Sequence, residues 1–194
     1  MLCLGAWPLH SYAAPYPADA VKAIFLYRFA GYITWPPSAR ATPHFTIAVA
    51  GDDEVADELA GFLPTHPVGN QPALVRRITS PGEVGDAQIV FIGTGYPGNL
   101  RAFVQALAHR PVLVVTDRQG GLSSGSIVNF VLIDQHVRFE ISLSAAARAD
   151  LKMSAQLLAV ASHVDTGWLR PLSGCMFHLV RGAAESCPEL AALR

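Results

Sequence analysis

Three glycines and one aspartate form the pattern in this sequence that most resembles a ligand site. Gly93, Gly95 and Gly98 are spaced as G-x-G-x-x-G between an apolar run and a helical segment. In dinucleotide-binding domains, such glycines let a pyrophosphate approach the backbone, and a later acid, here Asp117, accepts a hydrogen bond from a ribose hydroxyl. Two features count against this reading: the motif follows the third predicted strand instead of the first, and Pro97 lacks a backbone N–H. A nucleotide- or small-ligand-binding domain is therefore the alternative hypothesis for function.

Two other groups of polar residues could carry chemistry, but each has a simpler structural role. Asp52, Asp53 and Glu54 stand at a predicted helix start, where acids cap the helix and complement its dipole. The sequence has no His-x-x-x-His or Cys-x-x-Cys motif that would complete a metal site. Ser123 and Ser124 lie in a glycine loop without the G-x-S-x-G elbow of a hydrolase, and they are kept as candidates for partner binding. We expect no catalytic residue, no metal and no cofactor, and therefore a protein that is not an enzyme.

An aromatic-rich segment at residues 18–34 is a candidate interaction surface. Its apolar residues follow helical spacing, and Trp35 with the two prolines after it ends the helix. The aromatic side chains spread around more than one face, so a single buried stripe cannot hold all of them. Aromatic residues and arginine are enriched at protein interfaces. Tyr27, Arg28, Tyr32 and Trp35 are therefore predicted to contact a partner or a second copy of the chain.

Alternating strands and helices must position these residues. Apolar runs predict strands at 44–50, 74–78, 87–93 and 112–117, and helical patterns predict helices at 54–63 and 99–109. Strands that are apolar along their whole length and separated by helices form a parallel sheet covered on both faces. The sequence therefore predicts a three-layer α/β fold, with a mostly parallel sheet and helices on both faces.

The pattern changes after residue 126. Segments 127–133 and 136–143 flank a two-residue turn, Asp134-Gln135, so they should pair as an antiparallel hairpin at one sheet edge. Ser144 is then expected to cap a single helix that runs to about residue 163.

Composition limits the class of protein. The 194 residues are 51% hydrophobic and 15% charged, with a net charge of −1 and both signs interspersed. A single domain with a large core agrees with these values, and a nucleic-acid partner does not.

The two ends of the chain differ in character from the middle. Residues 1–14 are apolar and end in small residues, which predicts a truncated secretory signal segment. Residues 15–165 are predicted to form the folded domain. Residues 166–194 contain several glycines and prolines and are expected to be a loosely ordered tail, in which Cys175 and Cys187 could pair or stay free.

Four blocks between residues 18 and 164 resemble the YfiR-like family of exported bacterial regulators. They are the opening helix AVKAIFLYRFAGYITWP, the strand FTIAVAGDD, the strand AQIVFIG, and the stretch that runs from VLVVTD through RFEISL to LKMSAQLLAVA.

The resemblance implies a periplasmic negative regulator in biofilm and motility signalling. Such a protein binds the periplasmic sensor domain of a membrane-bound diguanylate cyclase and represses cyclic di-GMP synthesis, and an outer-membrane lipoprotein can sequester it. We also expect a homodimer. Residues 18–164 contain no cysteine, so control through core disulfides is not expected here.

Overall fold

The computed structural model describes residues 16–167. The predicted signal segment at residues 1–14, and Cys175 and Cys187 of the predicted tail, lie outside the described residues. The strands are β1 (Ile33–Thr34), β2 (Phe45–Ala50), β3 (Ala73–Arg77), β4 (Ile89–Ile92), β5 (Leu113–Thr116), β6 (Val128–Ile133), β7 (His136–Ser142), β8 (Lys152–Met153) and β9 (His163–Asp165). The α-helices are α1 (Ala18–Tyr32), α2 (Pro37–Arg40), α3 (Asp53–Phe62), α4 (Leu100–Leu107), α5 (Leu143–Arg148) and α6 (Ala155–Val160).

A seven-stranded sheet forms the middle layer, in the order β3-β2-β4-β5-β6-β7-β9. The strands from β2 to β6 pair in parallel, and only the β6–β7 pair of this sheet is antiparallel. A separate two-stranded sheet pairs β1 with β8. The predicted α/β class, with a mostly parallel sheet and an antiparallel hairpin, is confirmed.

Alternate residues of the parallel strands enter two separate cores. Along β2, Phe45, Ile47 and Val49 face the first core, and Ala48 and Ala50 face the second. Helices α1, α3, α5 and α6 contribute to the first core, and α4 contributes to the second. Because both faces are covered, each central strand is apolar along its whole length, which is the pattern that the sequence shows.

The hairpin lies at one end of the sheet, with only the short strand β9 outside it. Asp134 and Gln135 both have positive φ, 49° and 62°. This backbone is typical of the two-residue turns whose twist matches that of the flanking strands. The β6–β7 register therefore closes with Ile133 directly opposite His136.

The predicted single helix from Ser144 to residue 163 is wrong at its start and in its middle. Ser142 is the residue that caps α5, because its side chain accepts from the backbone N–H of Ala145 at 3.3 Å. After α5, Asp150 adopts a positive φ of 54°, a conformation that ends a helix.

The chain then enters a strand before it returns to a helix. Strand β8 pairs with β1, which directly follows α1 and is more than 100 residues away in the sequence. Ser154 caps α6 by accepting from the N–H of Leu157 at 3.2 Å. The helical spacing of the apolar residues does not reveal a pairing with so distant a segment, which is why the sequence predicted one helix.

Candidate partner-binding surface

Aromatic packing holds α1 against the first face of the sheet. Leu26 and Phe29 are buried on the inner side of the helix. The ring of Phe29 stacks on Phe130 at 6.0 Å between centroids and meets the edge of Phe139 at 5.1 Å. These two rings belong to the hairpin strands β6 and β7, so the hairpin fixes the orientation of α1.

The outer side of α1 carries a line of three residues, which we call the α1 ridge: Ile24, Arg28 and Tyr32. They follow one another at intervals of four, so they lie along one side of the helix. Ile24 and Arg28 are exposed, and Tyr32 is half-buried. Among residues 16–167, Arg28 has no ion-pair partner. The ridge thus presents an apolar surface with the positive charge of Arg28 at its centre.

A first groove, of about 730 Å³, separates α1 from the segment at residues 62–69. Tyr27 forms part of its wall, where its hydroxyl donates to the carbonyl of Pro67 at 3.3 Å. The Tyr27 ring meets the edge of Phe62 at 5.0 Å, and Phe62 stacks on His66 at 3.7 Å. The wall of this groove is therefore a set of mutually packed aromatic rings.

A second groove, of about 610 Å³, lies between α1 and α6. Its floor and walls are mainly apolar and include Phe25, Leu157 and Val160. Val160 is 66% exposed and Tyr16, at the start of the described chain, is 81% exposed. All three residues of the α1 ridge line both grooves, so the ridge and the grooves form one continuous surface.

The structure places three of the four residues predicted to contact a partner in this part of the sequence on the α1 surface. Tyr27, Arg28 and Tyr32 line the grooves, whereas Trp35 is 5% exposed and belongs to the core. The Trp35 ring packs edge to face with the ring of Phe45 on β2, with 5.5 Å between the two ring centroids. Trp35 is thus removed from the candidate surface, because the short strand β1 carries the chain inward after α1.

Ser123 and Ser124 lie in a different part of the molecule. They form the 3-10 turn Leu122–Ser124, which packs on α4 and β7. Ser124 donates to the carbonyl of Gly120 at 3.2 Å, and the carbonyl of Ser123 accepts from Arg101 of α4 at 3.3 Å. These contacts hold the loop in place, and the two serines are not part of the α1 surface.

The G-x-G-x-x-G loop follows β4 at the point where the strand order reverses, between β2 and β4. Open α/β sheets bind ligands in a crevice at such a point. Here the crevice is filled, because a Cβ atom added to Gly51 would lie 2.1 Å from the backbone nitrogen of Tyr96. A Cβ atom added to Gly93 would lie 2.5 Å from the Cβ atom of Asp52. The glycines therefore serve close contact between two loops of the protein.

The backbone of this loop is also largely committed to internal hydrogen bonds. The N–H groups of Gly93, Gly95 and Tyr96 donate to carbonyls of the protein at 2.8, 3.0 and 3.2 Å. The guanidinium of Arg118 binds three carbonyl oxygens of the same loop. A phosphate needs free N–H donors, so the geometry does not favour the alternative ligand site at Gly93, Gly95 and Gly98.

Asp117, the acid assigned to a ribose in that alternative, is bound to a lysine. The ammonium group of Lys22 lies 2.9 Å from Asp117, 3.0 Å from Asp19 and 3.7 Å from Asp52. The side chains of Asp52 and Asp117 are only 9% and 7% exposed. Asp52 is also the N-cap of α3, accepting from the N–H of Val55 at 3.0 Å, as the sequence predicted for these acids. We refer to Lys22, Asp19, Asp52 and Asp117 as the α1 ion cluster.

Burial and charge act in opposite directions on the α1 ion cluster. For Lys22, burial by itself lowers the pKa, but the hydrogen bond and the charge of Asp117, with those of Asp19, outweigh it and raise the pKa above 10.5. For Asp52, burial raises the pKa above 3.8, against the hydrogen bond from Val55 and the charge of Lys22. The negative charges of Asp19 and Asp117 add to that rise.

The model of the family described as YfiR/HmsC-like (DUF4154) matches residues 19–162. The chain belongs to the YfiR/HmsC-like family. In this member of the family, the matched range includes all of α1 but its first residue, the seven-stranded sheet except β9, and the α1 ion cluster. A search of curated proteins finds no match.

Two solved structures share the fold of this YfiR/HmsC-like protein. One is a conserved domain protein from Vibrio cholerae O1 biovar El Tor, with 8% identity and a TM-score of 0.54 over 76% of this chain and 60% of the other. The second is described as the ABC domain in complex with L-Trp from Streptococcus pneumonia, with 10% identity and a TM-score of 0.52 over 73% of this chain and 60% of the other. The chain thus spans about three fifths of each of these structures, and the likeness concerns the fold alone.

None of the helices between residues 16 and 167 combines the length and the apolar character needed to cross a bilayer.

Proposed function

We propose that this protein is an exported, periplasmic regulator that binds the sensor domain of a membrane-bound diguanylate cyclase and represses cyclic di-GMP synthesis. Membership of the YfiR/HmsC-like family supports a regulatory role and a protein that is not an enzyme. The α1 surface is the structural observation that carries the proposal, because it offers a partner an apolar ridge between two grooves.

The chemistry of the α1 surface suits a protein partner. Apolar residues that lie side by side on an exposed surface are a feature of protein interaction sites. Ile24, Val160 and Tyr16 supply such surface here, and the aromatic walls of the first groove offer pockets for apolar anchors. Arg28 adds a positive charge that a carboxylate of the partner can match.

Repression in this scheme needs no chemical step. A regulator that binds the inactive form of a cyclase more tightly than the active form shifts the population toward the inactive one. A preference of about 3 kcal/mol changes the ratio of the two forms by more than a hundredfold. The α1 surface therefore needs to discriminate only between two arrangements of the sensor domain.

Two further partners enter this proposal. A second copy of the chain can occupy the α1 surface, in which case a homodimer and the cyclase complex compete for it. An outer-membrane lipoprotein that covers the same surface would relieve repression. In both cases the concentration of regulator with an unoccupied α1 surface sets the rate of cyclic di-GMP synthesis by the cyclase.

Deletion of the gene tests the proposal in cells. Cyclic di-GMP is measured in the parent strain and in the deletion strain, and again in strains that lack each membrane-bound diguanylate cyclase in turn. We expect cyclic di-GMP to rise on deletion, and the rise to vanish when one particular cyclase is also removed. An unchanged level in every background would contradict the proposal.

A further inference from the structure

The α1 ion cluster contains more negative charge than it can neutralise. Three carboxylates, Asp19, Asp52 and Asp117, share the single ammonium group of Lys22. Asp52 and Asp117 are more than nine-tenths buried at the side chain, and no residue between 16 and 167 forms a hydrogen bond with Oδ1 of Asp117. Carboxylates that share a buried site cannot all ionise without cost. The side chain of Asp19 is 37% exposed, so solvent screens its charge. The two buried carboxylates, with Lys22 as their cation, therefore lack one positive charge or one proton.

A proton is better suited than a metal ion to supply this charge. Within residues 16–167, no group of His, Cys, Asp and Glu side chains has an arrangement that could hold a metal ion. Neither groove on α1 is lined by the carboxylates of the cluster. A proton needs no additional space, and a protonated Asp52 gains an O–H donor in a cluster that has an unpartnered acceptor.

Asp52 is the member whose protonation disturbs the structure least. Its Oδ1 accepts from the N–H of Val55, and a neutral carboxyl group can retain this capping bond. The charged groups that face it are Lys22 and Asp19 from α1 and Asp117 from the end of β5. The loop after β4 contributes the uncharged Gly93, and Arg118 is bound to carbonyls of that loop. Burial already raises the pKa of Asp52.

We propose that Lys22, Asp52 and Asp117 form a proton-responsive latch, which fastens α1 more firmly to the sheet when Asp52 takes up a proton as the pH falls. With Asp52 neutral, Lys22 is shared by two carboxylates instead of three, and one buried like-charge repulsion is removed. The three residues come from α1, the start of α3 and the end of β5. Because the same helix carries the α1 ridge, the latch couples the seating of the candidate partner-binding surface to pH.

The sign of the effect on stability follows from linkage. A folded-state pKa above that of the unfolded chain means that the folded protein binds the proton more tightly. The contribution of Asp52 is then fully present below the unfolded value of 3.8 and is lost as the pH rises through the folded value. Lys22, whose pKa is raised above 10.5, stays charged throughout this range and adds no slope.

Asp52→Asn tests the latch, because asparagine resembles the protonated acid and keeps the helix cap. Asp53→Asn is the matched control: it removes the same charge one residue later, at a side chain that is 85% exposed. The urea midpoint of the purified full chain is measured for the wild type and both variants between about pH 3 and about pH 8.

We expect the midpoint of Asp52→Asn to exceed that of the wild type near neutral pH, and the two to converge toward the acidic end. Asp53→Asn should keep a constant offset from the wild type. Parallel curves for Asp52→Asn and the wild type, or a lower midpoint for Asp52→Asn at neutral pH, would overturn the latch.

Hydrogen exchange shows whether the effect resides in α1. At neutral pH, Asp52→Asn should slow amide exchange in α1 relative to the wild type and leave α4, on the opposite face of the sheet, less affected. Equal slowing in both helices would contradict a latch on α1. Both measurements use the isolated protein, so their outcome is independent of whether a cyclase is its partner.

Discussion

Lys22 is a single residue that connects α1 to two other elements of the fold. Its side chain is 16% exposed and makes ion pairs that reach from α1 to the ends of two other elements. The sequence gives no sign of this role, because Lys22 lies 95 residues from Asp117. The alternative hypothesis assigned Asp117 to a ligand. A carboxylate directly after a strand can bind a ribose hydroxyl or pair with a lysine of the same protein, and its position in the sequence is the same in both cases.

Removal of the Lys22 charge should destabilise the fold. Lys22→Met keeps the length and the apolar stem of the side chain but leaves buried carboxylates without their cation. We expect a loss of about 2 to 4 kcal/mol in the free energy of unfolding, measured by urea denaturation at neutral pH. Lys152→Met, at an exposed lysine on β8, is the control and should change stability by less than about 0.5 kcal/mol. Equal effects of the two substitutions would refute the role of the ion cluster.

At the scale of elements, the two loops at the switch point of the sheet depend on glycine. Gly51 has a φ of +67° and touches the backbone of the loop after β4. The pattern G-x-G-x-x-G marks a segment whose backbone another group can approach closely, and the sequence analysis assigned that group to a ligand. It could not show that the contact is another loop, since spacing along one segment says nothing about what lies opposite.

Gly51→Ala separates this contact from the cost of backbone strain. The added methyl group would meet Tyr96, so we expect a loss of about 2 to 4 kcal/mol in the free energy of unfolding. Gly69→Ala is the control, with a φ of +59° and no atom within 4 Å of the added Cβ. It should lose only about 1 kcal/mol, from strain alone. If both variants lose the same amount, the crevice has room for a side chain and the ligand alternative regains support.

The elements that the sequence predicted best are the buried strands. Apolar runs such as FTIAVA and VLVVT are continuous because both faces of the sheet are covered, so their position follows from burial alone. The region after β7 was predicted poorly, because α5, β8 and α6 owe their boundaries to pairing with β1 and to local caps. Trp35 was misplaced for the same reason, since β1 turns the chain inward just before it.

At the scale of the whole molecule, the α1 surface joins segments that are far apart in sequence. Arg28 and Tyr32 were predicted from their residue types, but the groove walls at residues 62–69 and in α6 were not. Those walls consist of ordinary residues such as Phe62 and Val160, and only the fold brings them beside α1. The position of Arg28 and Tyr32 on the outer side of the helix was therefore predictable, whereas the shape of the candidate surface required the structure.

The most direct test of the central claim compares two arginines that lie on opposite faces of the sheet. Arg28→Glu reverses the charge at the centre of the α1 ridge, and Arg101→Glu makes the same change on the exposed side of α4. Each variant is expressed in the deletion strain at equal protein level, and cyclic di-GMP is measured. We expect Arg101→Glu to restore repression as the wild type does, and Arg28→Glu to leave cyclic di-GMP high, because a reversed charge in an interface costs at least about tenfold in affinity. Full repression by Arg28→Glu would contradict the account, since the α1 surface would then not be where the partner binds.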